Sequence, residues 1–150
     1  MSQIRDMRRL APEVQGVFGE WLRRCNQRGV QVLIYETLRT QERQDKLYAL
    51  GRTEPGRIVT NAKRSNHQDG RAVDAVPWEA YLAQREIETR LDWKPFESRT
   101  IERMFRESKD RSLLDRHWRV MADTAAELGI DWAGDWDGFI EYVHFEKLPQ

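Results

Sequence analysis

Three segments of the chain carry residue types that hydrolytic chemistry needs. The first is Ser65-Asn-His67-Gln-Asp-Gly70-Arg-Ala72-Val-Asp74, where a histidine and an aspartate flank a glycine. Asp74 stands inside the apolar run AVDAV. A lone carboxylate in an apolar strand is unfavourable unless it is paired, hydrogen-bonded or metal-bound. Gly70 permits the tight turn that would swing a loop histidine back toward that strand. The second segment is Glu141-Tyr-Val-His144-Phe-Glu146. Two imidazoles and one carboxylate make a three-ligand zinc set, and three protein ligands leave a fourth position for water, the mark of a catalytic site. A further carboxylate must then take the proton from that water and pass it to the leaving amine. Glu141 is one candidate and Glu146 its rival. Residues three apart on a regular strand face opposite sides. Glu141 therefore joins His144 only if it precedes the strand or the backbone bends, and Gly138 is placed to allow a bend. The third segment is Tyr35-Glu-Thr-Leu-Arg39-Thr40. An arginine at a strand end beside a metal binds a substrate carboxylate or carbonyl and stabilises a developing oxyanion.

Each signal alone has a plainer reading. A histidine near an aspartate is more often a hydrogen-bonded pair, and an arginine after a strand is more often a salt-bridge partner. The combination carries the weight. His117, beside Trp118 in a helical pattern, is taken as structural.

The elements that must position these residues follow from periodicity. Val14, Val17, Phe18, Trp21, Leu22 and Cys25 recur at helical spacing, with Pro12 in the first turn and Gly29 at the stop. Val30–Tyr35 is a short β-branched strand, and Thr40 caps a helix from Gln41 to Leu50. Residues 51–71 form a long polar surface loop, and Ala72–Val76 a short buried strand. Residues 79–112 are strongly charged, mostly helical, and form a candidate insertion. A helix over Leu113–Leu128 places Leu114, Trp118, Met121, Ala125 and Leu128 on one face, and a strand follows near Tyr142–Glu146. The expected architecture is α+β: one domain over residues 1–150, with a small, mostly antiparallel sheet and packed helices.

Composition narrows the function classes. Lys plus Arg and Asp plus Glu are 25 each, so no overall basic field favours nucleic acid or anionic membrane. The basic clusters at Arg5, Arg8, Arg9 and at Arg23, Arg24, Arg28 are taken as solvated helix faces. The single Cys25 rules out an internal disulfide and a cysteine-rich zinc site, and it lies on an apolar stripe as an inert thiol. No apolar run has signal-peptide or transmembrane length, so synthesis in the cytoplasm and release by another agent are expected.

The pattern SxHxxGxAxD, followed far downstream by carboxylate-x-x-His, resembles the zinc D-Ala-D-Ala carboxypeptidase and dipeptidase family. That family includes the VanX and VanY resistance enzymes and the phage L-alanyl-D-glutamate endopeptidases. The phage endolysin branch is the nearest in flavour, through LRTQERQDKLYALGRT (38–53), SNHQDGRAVD (65–74) and LGIDWAGDWDGFIEYVHFE (128–146). The resemblance covers residues 10–78 and 113–148. It implies one zinc ion on His67, Asp74 and His144, with Glu141 rather than Glu146 as base. It implies Arg39 as the transition-state stabiliser and Ser65 as a substrate or site-shaping contact. The implied activity is cleavage of the peptidoglycan stem peptide at L-Ala–D-Glu for host lysis, by a monomer that reaches the wall through a holin. The alternatives are a D-Ala-D-Ala carboxypeptidase and a non-catalytic, metal-stabilised wall-binding module. Two departures stand out: Val143 replaces a proline common in the branch, and 79–112 is longer and more charged than a minimal member needs. No separate wall-binding domain is expected.

Overall fold

A computed structural model describes residues 4–56, 58, 60, 62–79, 111–135 and 142–149 of the chain. Within them, helix α1 spans Pro12–Gln27, α2 Gln41–Ala49 and α3 Arg111–Glu127. Strands β1 (Val32–Glu36), β2 (Ala72–Pro77), β3 (Asp131–Trp132) and β4 (His144–Glu146) form one sheet in the order β1-β2-β4-β3. Every neighbouring pair is antiparallel, which gives the expected α+β class.

Local chemistry sets the helix limits. Pro12 opens α1, where its missing N–H is not needed. Gly29, at φ 85°, closes it: Val30 N–H donates to the Cys25 carbonyl at 2.9 Å and Gly29 N–H to Asn26 at 3.1 Å. Helix α3 ends the same way, with Ile130 N–H on the Ala125 carbonyl at 2.9 Å. Thr40 caps α2 as expected, its hydroxyl accepting from Arg43 N–H. The charged stretch expected to form an insertion lies, from residue 80 to 110, outside the described residues.

Helices α1 and α3 pack on each other, and their apolar stripes cover one face of the sheet. Trp21 anchors the layer: its ring lies 4.6 Å from that of Phe145, and its indole N–H donates to the Met121 carbonyl at 2.9 Å. Trp118 and Trp132 stack on the same Phe145, and the Trp132 indole donates to the Tyr142 carbonyl at 2.7 Å. Side chains alternate along a strand, so Phe145 in this core puts its neighbours His144 and Glu146 on the opposite face. That face carries the polar chemistry. Among the described residues, no helix is long and apolar enough to cross a membrane.

The loop before β2 is tied to the N-terminal segment through Gly70. Its carbonyl accepts from Ala11 N–H at 2.9 Å, and its backbone is left-handed at φ 68°. A Cβ there would stand 2.8 Å from Ala11 N and 3.2 Å from the Arg9 carbonyl oxygen. Gly70→Ala is therefore expected to lower stability by about 1–3 kcal/mol. An unchanged denaturation midpoint would remove that role from Gly70. Burial also pushes the Cys25 thiol up to about 11. A thiol reagent at neutral pH should label Cys25 only after denaturation, and rapid labelling of folded protein would contradict this packing.

Candidate metal centre

The centre is built across the sheet. Strand β2 lies between β1 and β4, so Asp74 has a neighbour on either side: Glu36 on β1 and His144 on β4. The β1 register slips between Ile34 and Glu36. This irregularity puts Glu36 opposite Asp74, where unbroken pairing would have put Tyr35, and Tyr35 goes to the core instead.

His67 comes down on this row from the loop. Its turn is closed by Gln68 N–H on the Ser65 carbonyl (2.9 Å), Gly70 N–H on the His67 carbonyl (3.2 Å) and Arg71 N–H on the Asn66 carbonyl (3.0 Å). The Ser65 hydroxyl accepts from His67 N–H at 3.2 Å. Arg39 N–H donates to the His67 carbonyl at 3.0 Å, which joins the end of β1 to the loop.

His67 Nε2 lies 3.1 Å and His144 Nδ1 3.5 Å from the same atom, Asp74 Oδ1. One ligand atom from each of the three residues falls within 4.8 Å of the others, and all three are buried. A tetrahedral zinc site with arms of about 2.0–2.1 Å has ligand-to-ligand edges of about 3.3 Å. The two separations to Asp74 bracket that edge.

The remaining imidazole nitrogens are already committed. His67 Nδ1 lies 2.8 Å from the Thr37 carbonyl oxygen, which only accepts, so Nδ1 carries the hydrogen. His144 Nε2 lies 2.8 Å from Glu146 Oε1 and donates to that carboxylate. The neutral rings thus turn their lone pairs, His67 Nε2 and His144 Nδ1, onto a carboxylate oxygen. Acceptors facing acceptors need a proton or a cation between them. The donor set fits a metal ion, with Thr37 and Glu146 orienting the two imidazoles from behind.

Electrostatics agree with this arrangement. Burial is the largest single influence on Asp74 and raises its pKa. When protons rather than a metal stand between these groups, the charge on His67, hydrogen bonds from His144 and His67, and the Arg39 guanidinium together outweigh burial and hold the carboxyl well below the ordinary range. Asp74 is an anion in a buried place, and a cation is what that place favours.

Of the residues singled out in the sequence, His67, Asp74 and His144 come together and Arg39 stands beside them, its Nη2 3.5 Å from Asp74 Oδ2. Ser65 lies in the turn beneath His67. Strand β4 begins at His144, after Glu141 in the chain, and Glu141 and Gly138 themselves lie outside the described residues. Glu146, the rival base, is engaged at both oxygens: by His144 at Oε1 and by the Asn66 amide at Oε2, 2.7 Å away. That occupation suits an orienting partner better than a proton carrier.

Sequence reasoning missed Glu36, Thr37, Gln44 and Asn66 as parts of the centre. Glu36 is fully buried and takes the Arg39 and Arg43 side chains. Gln44 accepts from Arg39 Nη1 at 2.9 Å and donates to the Ala62 carbonyl at 2.6 Å. A carboxylate closing an apolar strand three residues before Arg39 was the available signal for Glu36. Thr37 acts through its carbonyl, which no side-chain pattern shows. Its own N–H donates to the Ile4 carbonyl at 2.6 Å, and its hydroxyl lies 3.1 and 3.0 Å from the Ile4 and Asp6 carbonyl oxygens.

Replacing Glu146 with Ala should weaken divalent-metal affinity by about 10–100-fold, because His144 would lose the acceptor that fixes its ring. His144→Ala should abolish binding at this centre. A chelator-competition titration checks both, and wild-type affinity in Glu146→Ala would detach Glu146 from the centre.

Comparison with known proteins gives a consistent picture. The family model described as D-alanyl-D-alanine carboxypeptidase matches residues 59–147. The chain is 32% identical over 124 residues to the peptidoglycan L-alanyl-D-glutamate endopeptidase CwlK of Bacillus subtilis, covering 81% of this chain and 64% of that one. It is 27% identical over 143 residues to an L-alanyl-D-glutamate peptidase of a Listeria phage, covering 95% of this chain and 40% of the relative. The chain thus spans less than two thirds of either relative. Its fold is similar to the L-Ala D-Glu endopeptidase ChiX of Serratia marcescens (TM-score 0.54, 20% identity, 93% of this chain and 81% of that one). It is also similar to a VanY D,D-pentapeptidase mutant from a VanB-type resistance cassette, solved in complex with Zn(II) (TM-score 0.54, 14% identity, 91% and 71% covered). The matched segment contains His67, Asp74 and His144 and spans more than half of the chain, which therefore belongs to the D-alanyl-D-alanine carboxypeptidase family of peptidases.

Proposed function

We propose that this protein is a zinc-dependent endopeptidase that hydrolyses the L-Ala–D-Glu bond of the peptidoglycan stem peptide. The observation that carries the reading is the His67–Asp74–His144 group, with each imidazole's second nitrogen already held by an acceptor. A closed structural site would present four protein ligands, whereas the three that come together among the described residues leave a position for water. The names of the two endopeptidase relatives support the substrate and the bond.

In this proposal His67, Asp74 and His144 hold one zinc ion. Bound zinc supplies Lewis acidity toward water and toward the scissile carbonyl. Glu141 takes the proton from the attacking water and returns it to the departing nitrogen. Arg39 presents positive charge to the oxyanion as it forms, its guanidinium steadied by Glu36 and Gln44. Ser65 shapes the loop that carries His67, and in this proposal it is also a substrate contact. The phage source of one relative is in keeping with a role in host lysis; in this proposal a holin opens the way to the wall. The active form is a monomer.

Purified protein incubated with peptidoglycan should release fragments with new L-Ala carboxyl and D-Glu amino ends. A chelator should abolish them and zinc restore them, as read by mass spectrometry. Free D-Ala would instead make the protein a carboxypeptidase, and no metal-dependent product would sink the enzymatic reading. Glu141→Ala should lower turnover by about 10²–10⁴-fold while zinc still binds. Retained turnover would move the base elsewhere.

A further inference from the structure

Beside the centre, one guanidinium stands between two carboxylates. Arg39 directs Nε (3.1 Å) and Nη2 at Glu36 Oε1, and its Nη2 also lies 3.5 Å from Asp74 Oδ2. The other oxygen of Glu36 takes Arg43 Nε, and Arg39 Nη1 is held by Gln44. Glu36 has no exposed surface and Arg39 is 8% exposed, so neither is levelled by water. Glu36 faces Asp74 directly across the β1–β2 ladder because of the register slip. The two carboxylates are therefore competitors for the same fork, and Glu36 has the larger share.

From this geometry we infer that Glu36 is a positioning residue that holds Arg39 off Asp74 and so keeps Asp74 available as a metal ligand. An arginine fork closes on a carboxylate in a bidentate pair when nothing else claims it. Asp74 so captured would turn an oxygen away from His67 and His144. It would also gain a fixed positive charge next to the place of a cation. Glu36 prevents this by taking the fork itself, and Arg43 balances the second negative charge in the buried row. The inference rests on the metal site proposed above.

The test is zinc affinity, measured by chelator competition on the whole 150-residue chain, so no turnover is needed. Wild type that binds no zinc sinks the metal site itself. If wild type binds, Glu36→Gln should bind about 10-fold more weakly or worse, within the range of outer partners of metal ligands. Adding Arg39→Met to Glu36→Gln should return affinity to within about threefold of wild type, because the competing fork is gone. Affinity in Glu36→Gln within twofold of wild type overturns the inference, by the same standard of outer-partner effects. So does a loss that Arg39→Met leaves unrepaired, since that loss comes from the fold alone. Should Glu36→Gln not fold, Glu36→Asp takes its place: the charge stays but the carboxylate draws back by one methylene. The same weakening and the same repair are then expected, and wild-type affinity in Glu36→Asp overturns the inference.

Discussion

The structure depends on keeping one carboxylate ionised in the middle of a sheet. Asp74 is 3% exposed and has a strand on either side. An isolated charge in such a place is strongly disfavoured, and it survives only where positive charge and hydrogen bonds surround it. Here they come from every direction: His67 from the loop, His144 from β4, and Arg39 from the end of β1. Each of these is itself buried and held by a further group, so the demand of Asp74 propagates outward through Thr37, Glu146, Glu36 and Gln44. Buried polar networks of this kind are stable only when every member is satisfied.

The sheet separates this polar network from the core by a single layer of backbone. Phe145 sits in an aromatic cluster with Trp21, Trp118 and Trp132, while the adjacent His144 belongs to the candidate metal centre. The alternation of strand side chains makes this division possible with adjacent residues. Packing of the large rings then fixes the height of β4, and through it the position of the His144 ring.

Much of this was legible before the structure. Helix α1 has the bounds expected of it, because a continuous apolar stripe, a proline at the start and a glycine at the end all agree. The cap at Thr40 and the α+β class were readable for the same reason. The three ligand candidates were visible because each is an unusual residue for its surroundings. Strand β3 was not read, since two residues show no periodicity, and β4 is two residues shorter than expected. Strand order is set by pairings between distant segments, which no local pattern carries. The engagement of Glu36 was hidden for a sharper reason: it depends on a register slip that exchanges Tyr35 for Glu36 opposite Asp74.

The position of β4 in the chain has a temporal consequence. The centre draws His67 and Asp74 from the first half of the sequence and His144 from near its end, and β4 pairs inside the sheet, between β2 and β3. During synthesis the ribosome releases Asp74 long before His144, and contacts of such long sequence separation form late. A nascent chain therefore holds two of the candidate ligands without the third, and the candidate centre closes only when residues 144–146 have emerged and slotted into place. The last of the described strands to be made is the one that completes the candidate centre.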